Sequence, residues 1–216
     1  MPGLALFDLD NTLVDRDKAF SDWAQQFMVA HDLPDGAWAI IESADGDGLK
    51  PRDLFFGEVR ERLGVETGVD DLQARYYVEY PACYTVEGPT VDAVRSLRAE
   101  GWVAGVVTNG PPSQRAKLEA TGLLDEFDVI CISSVVGWWK PDRHIFEDAA
   151  RRCGLPLDGW MVGDSPSADI GGGSRAGLKT VWMPRGRRWE ESEFAPDATA
   201  HTIPEAVEVI LAPTIR

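Results

Sequence analysis

Hydrophobic positions along the chain follow two different periods. The first apolar run, Leu4–Phe7, is short and ends in Asp and Asn residues, which is typical of a buried strand that stops abruptly. From about residue 16 to 86 apolar residues recur at spacings of three and four instead, as in Phe20, Trp23 and Phe27, which is the pattern of amphipathic helices. We therefore predict a block with helices near residues 20–31, 37–43, 51–63 and 69–84 and with no strand.

After residue 88 short apolar runs alternate with amphipathic helices. The predicted strands are 102–107, 129–132, 160–162 and 180–183, and the helices between and after them are 90–100, 112–121, 141–153, 167–176 and 204–211. Such alternation predicts a parallel sheet with helices on both faces. The glycines at 171–173 lower helix propensity and predict a short or distorted helix there.

These patterns predict an α/β fold: a Rossmann-like parallel sheet core with an inserted all-helical cap domain. We expect residues 1–15 and 87–216 to form the core and residues 16–86 to form the cap. Ligands of open α/β sheets bind outside the carboxyl ends of the strands. Because the insertion follows the first strand directly, we expect it to act as a lid that excludes water and selects substrates.

Two features of the helical block have more than one interpretation. Tyr76, Tyr77, Tyr80 and Tyr84 line a substrate pocket in one interpretation and serve as packing residues in the favoured one. Residues 45–48 resemble part of a calcium loop, but Leu49 and Lys50 stand where such a loop needs an oxygen ligand and a glycine. We predict an ordinary turn for this second segment.

Composition narrows the classes of partner. The 216 residues are 44% hydrophobic and carry a formal net charge of −15, which argues against nucleic acid and anionic membranes as partners. No apolar run approaches the roughly 18 residues of a membrane span. The three cysteines are widely spaced and lack a zinc-binding pattern, so a reducing cytoplasm is expected. A monomer is the default expectation, and the cap aromatics leave a homodimer open.

An acidic pair follows the first strand. Asp8 and Asp10 are two residues apart, so in extended backbone their side chains lie on one side. Two neighbouring carboxylates repel each other unless a positive charge lies between them, and a hard divalent cation with oxygen ligands is the simplest candidate. The alternative is a polar turn that merely closes the strand.

Polar groups also follow the other predicted strands. They are Thr108 with Asn109, Lys140 before Pro141, Asp164, and Asp169 a little further on. Each has a plain alternative, since Thr-Asn-Gly is a common turn, a lone lysine is usually solvated, and Asp164 suits a helix cap. Together they place carboxylates, a hydroxyl and an ammonium at one sheet edge, which suits phosphoryl chemistry.

The order of these motifs resembles the haloacid dehalogenase (HAD) superfamily. DLDNT at 8–12, VVTN at 106–109, Lys140-Pro141-Asp142 and GDSPSAD at 163–169 look like its first to fourth motifs, and the insertion stands where the family carries a helical C1-type cap. Arg143 stands where the family often has proline, and Trp138-Trp139 is unusually bulky. These departures bear on the substrate rather than on the chemistry.

The resemblance implies a role for each motif residue. Asp8 would be the nucleophile that forms an aspartyl-phosphate, and Asp10 the general acid and base. Mg²⁺ would be bound by Asp8, the backbone carbonyl of Asp10 and Asp164, with Asp169 acting directly or through water. Thr108 and Asn109 would bind phosphoryl oxygens, Lys140 would balance their charge, and Thr12 would support the loop.

The expected activity is Mg²⁺-dependent hydrolysis of a small phosphorylated metabolite. A phosphomutase with the same motifs is one alternative. A haloacid dehalogenase is another, although that branch lacks an aspartate at the position of Asp10. A non-catalytic phosphate-binding module is a third. The basic run Arg185–Trp189 suggests contact with a nucleotide or a second phosphate, but a solvated loop is the favoured interpretation.

Overall fold

The computed structural model describes residues 3–48 and 50–213. The chain divides into two compact units, one made of residues up to Asp15 and from Thr85 onward, the other of Arg16–Tyr84. The predicted division, 1–15 with 87–216 and 16–86, lies close to this one. The role of the second unit as a cap stays a prediction.

The first unit is built on a six-stranded sheet. Its strands are β1 (Leu4–Phe7), β2 (Val103–Thr108), β3 (Val129–Ile132), β4 (Gly159–Gly163), β5 (Lys179–Trp182) and β6 (Ala198–Thr199). The order is β3-β2-β1-β4-β5-β6, and every pair is parallel. All of β1 is buried because it lies in the middle of the sheet, which explains why its sequence is continuously apolar. The predicted α/β fold class is confirmed.

Register explains why the motif residues converge. Phe7 pairs with Val106 on one side and with Val162 on the other. The strands β1, β2 and β4 are parallel, so their carboxyl ends lie side by side at one edge of the sheet. The residues that follow these strands therefore meet there, although they are far apart in sequence.

Helices α1 (Arg16–Ala30), α2 (Ala37–Asp45), α3 (Arg52–Leu63) and α4 (Val69–Glu79) form the second unit. Its core is aromatic, and Trp23 packs against Phe27, Phe55, Phe56, Tyr76 and Tyr80. The predicted helix 69–84 is α4 followed by a 3₁₀ turn, Tyr80–Cys83. Proline at 81 lacks the N–H that a continuing α-helix needs.

The second unit buries three of its four tyrosines. Tyr76, Tyr80 and Tyr84 are core residues, while Tyr77 is exposed, so packing is the observed role of the buried ones. The segment at 45–48 is also fixed by internal contacts. Asp45 is buried and accepts hydrogen bonds from Arg16, from Arg52 at 2.8 Å and from the backbone N–H of Gly48 at 2.8 Å. The Asp45 carboxylate is therefore engaged by guanidinium groups.

The first unit carries the remaining helices: α5 (Gly88–Ala99), α6 (Gln114–Ala120), α7 (Ser133–Val136), α8 (Arg143–Arg152), α9 (Gly172–Ala176) and α10 (Ile203–Leu211). The predicted helix 141–153 begins two residues late because Asp142 is its N-cap and accepts from the N–H of His144. Within the described ranges, no helix is long and apolar enough to cross a membrane.

The glycine run at 171–173 lies where a π-helical turn, Pro166–Gly171, passes into α9. A Cβ at Gly172 would lie 3.0 Å from the Pro141 Cα, and one at Gly173 would lie 3.0 Å from the Met161 Cβ. The glycines thus let this helix approach β4 and the Lys140-Pro141 segment closely. The helix is distorted at the glycines, as predicted, and close packing explains why glycines stand there.

Candidate active site

The loop after β1 turns sharply and brings Asp8 and Asp10 to the edge of the sheet. The N–H of Asp8 donates to the Val162 carbonyl at 2.9 Å, which continues the pairing with β4. The carbonyl of Leu9 then accepts from the N–H groups of residues 12, 13 and 14. Asn11 has a positive φ of 61°, a conformation that asparagine adopts more readily than most residues. Thr12 is buried in this turn, and its support of the loop stays a prediction.

Three carboxylates meet at this edge. Oxygens of Asp8, Asp164 and Asp169 all lie within 4.8 Å of one another. Asp169 comes from the π-helical turn after β4, and the Ser165 N–H donates to its Oδ2 at 2.9 Å. Glycine is needed at 163, since a Cβ there would lie 2.3 Å from the Asp169 Cγ. Close packing of this turn on β4 therefore gathers the carboxylates.

Lys140 lies between two of these carboxylates. Its side chain is 2% exposed, and its Nζ donates to Asp8 Oδ1 at 2.5 Å and to Asp169 Oδ1 at 2.7 Å. The Asn109 side chain fixes the lysine backbone from both sides: Nδ2 donates to the Lys140 carbonyl at 2.9 Å, and Oδ1 accepts from the Lys140 N–H at 2.8 Å. Asn109 thus positions Lys140, and its predicted contact with phosphate stays a prediction.

The three carboxylates Asp8, Asp164 and Asp169 outnumber the cationic groups that contact them. Burial raises the pKa of Asp8 to about 8, against the opposing effect of Lys140, and Asp169 raises it further. Burial also raises the pKa of Asp164 to about 6, and the nearby Asp169 adds to the rise. Lys140 stays charged because Asp169 and Asp8 raise its pKa by more than burial lowers it. Crowded carboxylates with raised pKa values fit a divalent cation with oxygen ligands.

Sequence analysis missed Arg187 as a site residue. Its guanidinium donates to Asp164 Oδ2 at 2.9 Å and to the Asp164 carbonyl at 2.7 Å. The indole N–H of Trp182 donates to the same carbonyl at 3.0 Å. The basic run was the available signal, but it was interpreted as a solvated loop. Residues 185–188 are exposed, as that interpretation expects, and Arg187 in addition contacts a predicted metal ligand.

Asp10 faces a different set of partners. Its carboxylate accepts from Lys117 Nζ at 2.7 and 2.6 Å and from Gln114 Nε2 at 2.9 Å. The same Nε2 donates to Thr108 Oγ1 at 2.8 Å. Gln114 and Lys117 were also missed by sequence analysis, although both lie on the helix that follows the Thr-Asn-Gly segment. The predicted metal contact of Asp10 concerns its backbone carbonyl and stays a prediction.

The fold and the site are those of a Rossmann-like α/β enzyme with acidic and basic groups at the carboxyl edge of its sheet. Residues 3–177 match the family of haloacid dehalogenase-like hydrolases, and the chain belongs to this family. The membership inferred from the sequence motifs is confirmed.

Known relatives specify the branch of the family. The chain is 32% identical over 196 residues to a phosphoserine phosphatase from Thermus thermophilus, covering 84% of this chain and 75% of the relative. It is 31% identical over 219 residues to the pyrimidine 5'-nucleotidase YjjG from Escherichia coli, covering 94% and 96%. The chain is accordingly a phosphatase-type HAD hydrolase, a phosphoric monoester hydrolase.

A solved structure shares the fold across nearly the whole chain. The HAD hydrolase YfnB from Bacillus subtilis, solved bound to magnesium, superposes with a TM-score of 0.80 at 23% identity, covering 97% of this chain and 99% of that one. At this level of identity the likeness shows the fold alone. It agrees with the parallel six-stranded sheet described above.

Proposed function

We propose that the chain hydrolyses a small phosphorylated metabolite in a Mg²⁺-dependent reaction through an aspartyl-phosphate on Asp8. The observation that supports this most directly is the buried group Asp8, Lys140 and Asp169, with Asp164 beside it. A carboxylate nucleophile has to be brought close to an anionic phosphate, and this requires compensating positive charge. Lys140 supplies part of that charge.

The residues fit a magnesium ion. Asp8, Asp164 and Asp169 would hold it, together with the backbone carbonyl of Asp10. Mg²⁺ bound there would neutralise carboxylate and phosphate charge, an effect of several kcal/mol. Burial raises the pKa values of Asp8 and Asp164, and a cation bound beside them would oppose that rise.

The chain's own residues account for both steps of the reaction. In the first step an Asp8 oxygen forms a bond to phosphorus, the bond to the leaving oxygen breaks, and Asp10, which enters this step protonated, donates its proton to that oxygen. In the second step Asp10 accepts a proton from water, the water oxygen bonds to phosphorus, and the bond to Asp8 breaks, which releases phosphate. Thr108 donates a hydrogen bond to a phosphoryl oxygen, and Lys140 stabilises the negative charge.

The other candidate activities use the same site differently. A phosphomutase would pass the phosphoryl group to a hydroxyl of its product instead of to water. A haloacid dehalogenase would not need the Asp10 carboxylate, whereas here that carboxylate is held by three hydrogen bonds. A binding module would need no nucleophile. Hydrolysis is therefore favoured, and the phosphoserine phosphatase and nucleotidase relatives make amino acid and nucleoside phosphates suitable first substrates.

The test is phosphate release from p-nitrophenyl phosphate, phosphoserine, sugar phosphates and nucleoside monophosphates, each with Mg²⁺ and with EDTA. We expect release by the wild type with Mg²⁺ only, and none by Asp8→Asn. Asp158→Asn is the matched control, since Asp158 is an exposed aspartate just before β4; it should retain full activity. Undiminished release by Asp8→Asn would refute the proposal. Phosphate transfer between positions of a sugar phosphate without release would favour the mutase.

A further inference from the structure

Helix α6 contributes two buried polar side chains that have no role in the reaction as described so far. Gln114 is 3% exposed and Lys117 is 7% exposed. They are three residues apart, so they lie on the same face of the helix. Burying an amide and an ammonium is costly unless hydrogen bonds compensate. Their contacts with Asp10 and Thr108 provide this compensation.

The hydrogen bonds in this group have a defined direction. The ammonium of Lys117 can only donate, so both oxygens of Asp10 accept from it. One of these oxygens, Oδ2, also contacts the Gln114 amide, which must present its Nε2 rather than its oxygen. The orientation of this amide is thus set by Asp10.

The fixed amide in turn orients Thr108. Nε2 carries two hydrogens, and its shortest contacts are with Thr108 Oγ1 at 2.8 Å and Asp10 Oδ2 at 2.9 Å, while the Asn109 carbonyl lies further away at 3.5 Å. The hydroxyl of Thr108 is therefore an acceptor toward Gln114, so its own proton points elsewhere. A hydroxyl held in this way is ready to donate to a phosphoryl oxygen.

Gly110 makes room for this arrangement. It has a φ of 154°, and a Cβ there would lie 2.8 Å from Gln114 Cγ and 3.0 Å from its Cδ. A side chain at position 110 would press on Gln114 where it folds back toward Thr108, so the glycine leaves space for this conformation. The backbone of the second motif and the side chain of α6 therefore fit each other.

We propose that Gln114 and Lys117 are positioning residues that hold the Asp10 carboxylate and the Thr108 hydroxyl in a fixed mutual arrangement. Lys117 fixes Asp10, and Gln114 connects Asp10 to Thr108 and directs the threonine proton. This inference rests on the proposed function, because it assigns Asp10 and Thr108 their roles in phosphoryl transfer. It predicts different kinetic signatures for the two positioning residues.

Lys117→Met tests the contact with Asp10. Alkyl phosphates need a proton on the leaving oxygen, whereas p-nitrophenyl phosphate has a good leaving group and needs little protonation. General acid catalysis contributes about 10²–10⁴-fold, so a misplaced Asp10 should lower the ratio of kcat/KM for an alkyl ester to kcat/KM for p-nitrophenyl phosphate by about tenfold. A ratio within about threefold of wild type would overturn the inference. The ratio is measured in one sample, so it does not depend on the folded fraction.

Gln114→Met tests the orientation of Thr108. Methionine keeps the length of the side chain but donates no hydrogen bond, so the Thr108 hydroxyl is no longer directed. Removing a hydrogen-bond donor that contacts the reacting group directly lowers kcat by about 10²–10³-fold. Because Gln114 acts through Thr108, we expect its loss to lower kcat/KM for p-nitrophenyl phosphate by about tenfold. The affinity for inorganic phosphate as a competitive inhibitor should fall in parallel. Unchanged kcat/KM and phosphate affinity would overturn the inference for Gln114.

Arg115→Met is the matched control because Arg115 lies on the same helix, is exposed and pairs with Glu119. It should leave both readouts at the wild-type level; the same changes in this variant would overturn the inference. Absence of phosphate release by the wild type would overturn the proposed function and this inference with it. Release by the wild type together with wild-type signatures in both variants would overturn the inference alone.

Discussion

Replacing Lys140 with methionine tests the electrostatic account of the site most directly. The lysine donates to Asp8 and Asp169, and the side chains of all these residues are at most 10% exposed. Methionine fills similar volume without charge. The substitution therefore leaves two buried carboxylates without their shared cation, while the packing around them changes little.

The expected loss of stability in Lys140→Met follows from the burial of the lysine and its two carboxylate partners. Removing one partner of a buried ion pair costs about 3–5 kcal/mol, because the remaining charge has neither water nor a counterion. For a protein of this size 1 kcal/mol lowers Tm by roughly 2–4 °C, so in EDTA we expect Tm to fall by about 6–20 °C. Because burial raises the pKa of Asp8 to about 8, protonation of Asp8 moderates the loss at neutral pH and below. At neutral pH Mg²⁺ should stabilise the variant more than the wild type, since it supplies the missing charge.

The assay is thermal unfolding of both proteins with EDTA and over a series of Mg²⁺ concentrations. Lys179→Met is the matched control: Lys179 is an exposed lysine on β5 whose ammonium lies 5.1 Å from the Trp160 ring centroid. Loss of this cation–π contact should cost no more than about 1 kcal/mol. If Lys140→Met unfolds within about 2 °C of wild type in EDTA, the buried carboxylates do not depend on the lysine and the charge account is wrong.

Three further predictions concern the carboxylates Asp8, Asp164 and Asp169. Asp164→Asn should raise the Mg²⁺ concentration that gives half-maximal thermal stabilisation by at least about tenfold, and an unchanged midpoint would exclude Asp164 as a ligand. Gly163→Ala should lower the free energy of unfolding by about 1–3 kcal/mol in a urea titration, because its Cβ has to displace Asp169; wild-type stability would contradict the close packing. In EDTA the wild type should lose stability relative to Asp8→Asn as the pH rises from about 4 to about 8. Burial raises the folded-state pKa of Asp8 from 3.8 to about 8, so the protonated form of Asp8 stabilises the folded state at low pH, and this stabilisation is lost as Asp8 ionises. Equal pH slopes of the two melting curves would contradict the raised pKa.

Parallel topology explains why so much of the fold could be predicted from the sequence. Strands β1 to β4 are mainly apolar because a parallel sheet is buried on both faces, and in β5 the residues after the exposed Lys179 are buried as well. Strand β6 spans only Ala198–Thr199, too short to produce a hydrophobic pattern of its own. The start of α8 was predicted at Pro141, but the Asp142 side chain caps the helix and shifts its start to Arg143.

The gathering of the motif residues could also be anticipated, because strand ends of a parallel sheet share an edge. The contacts of the supporting residues Lys117 and Arg187 could not be anticipated. Lys117 lies next to Leu118 on α6, and an amphipathic pattern assigns only the leucine to the buried face. Arg187 reaches Asp164 because residues 184–187 turn back on themselves, with the Arg187 N–H donating to the Pro184 carbonyl at 2.9 Å. Both contacts depend on side-chain direction, which residue order alone does not determine.

The charge of the site connects metal binding with substrate binding. The chain carries −15 overall, and its carboxylate cluster sets three acidic groups, Asp8, Asp164 and Asp169, against Lys140 and Arg187. With the acids ionised this leaves one negative charge, which repels a phosphate ester. The proposed divalent cation would reverse the sign and leave one positive charge. Each of the two ligands should therefore raise the affinity of the site for the other by the same factor, since coupling between binding free energies is reciprocal. An acidic protein can bind an anionic substrate in this way because the attraction is local and supplied mostly by the ion.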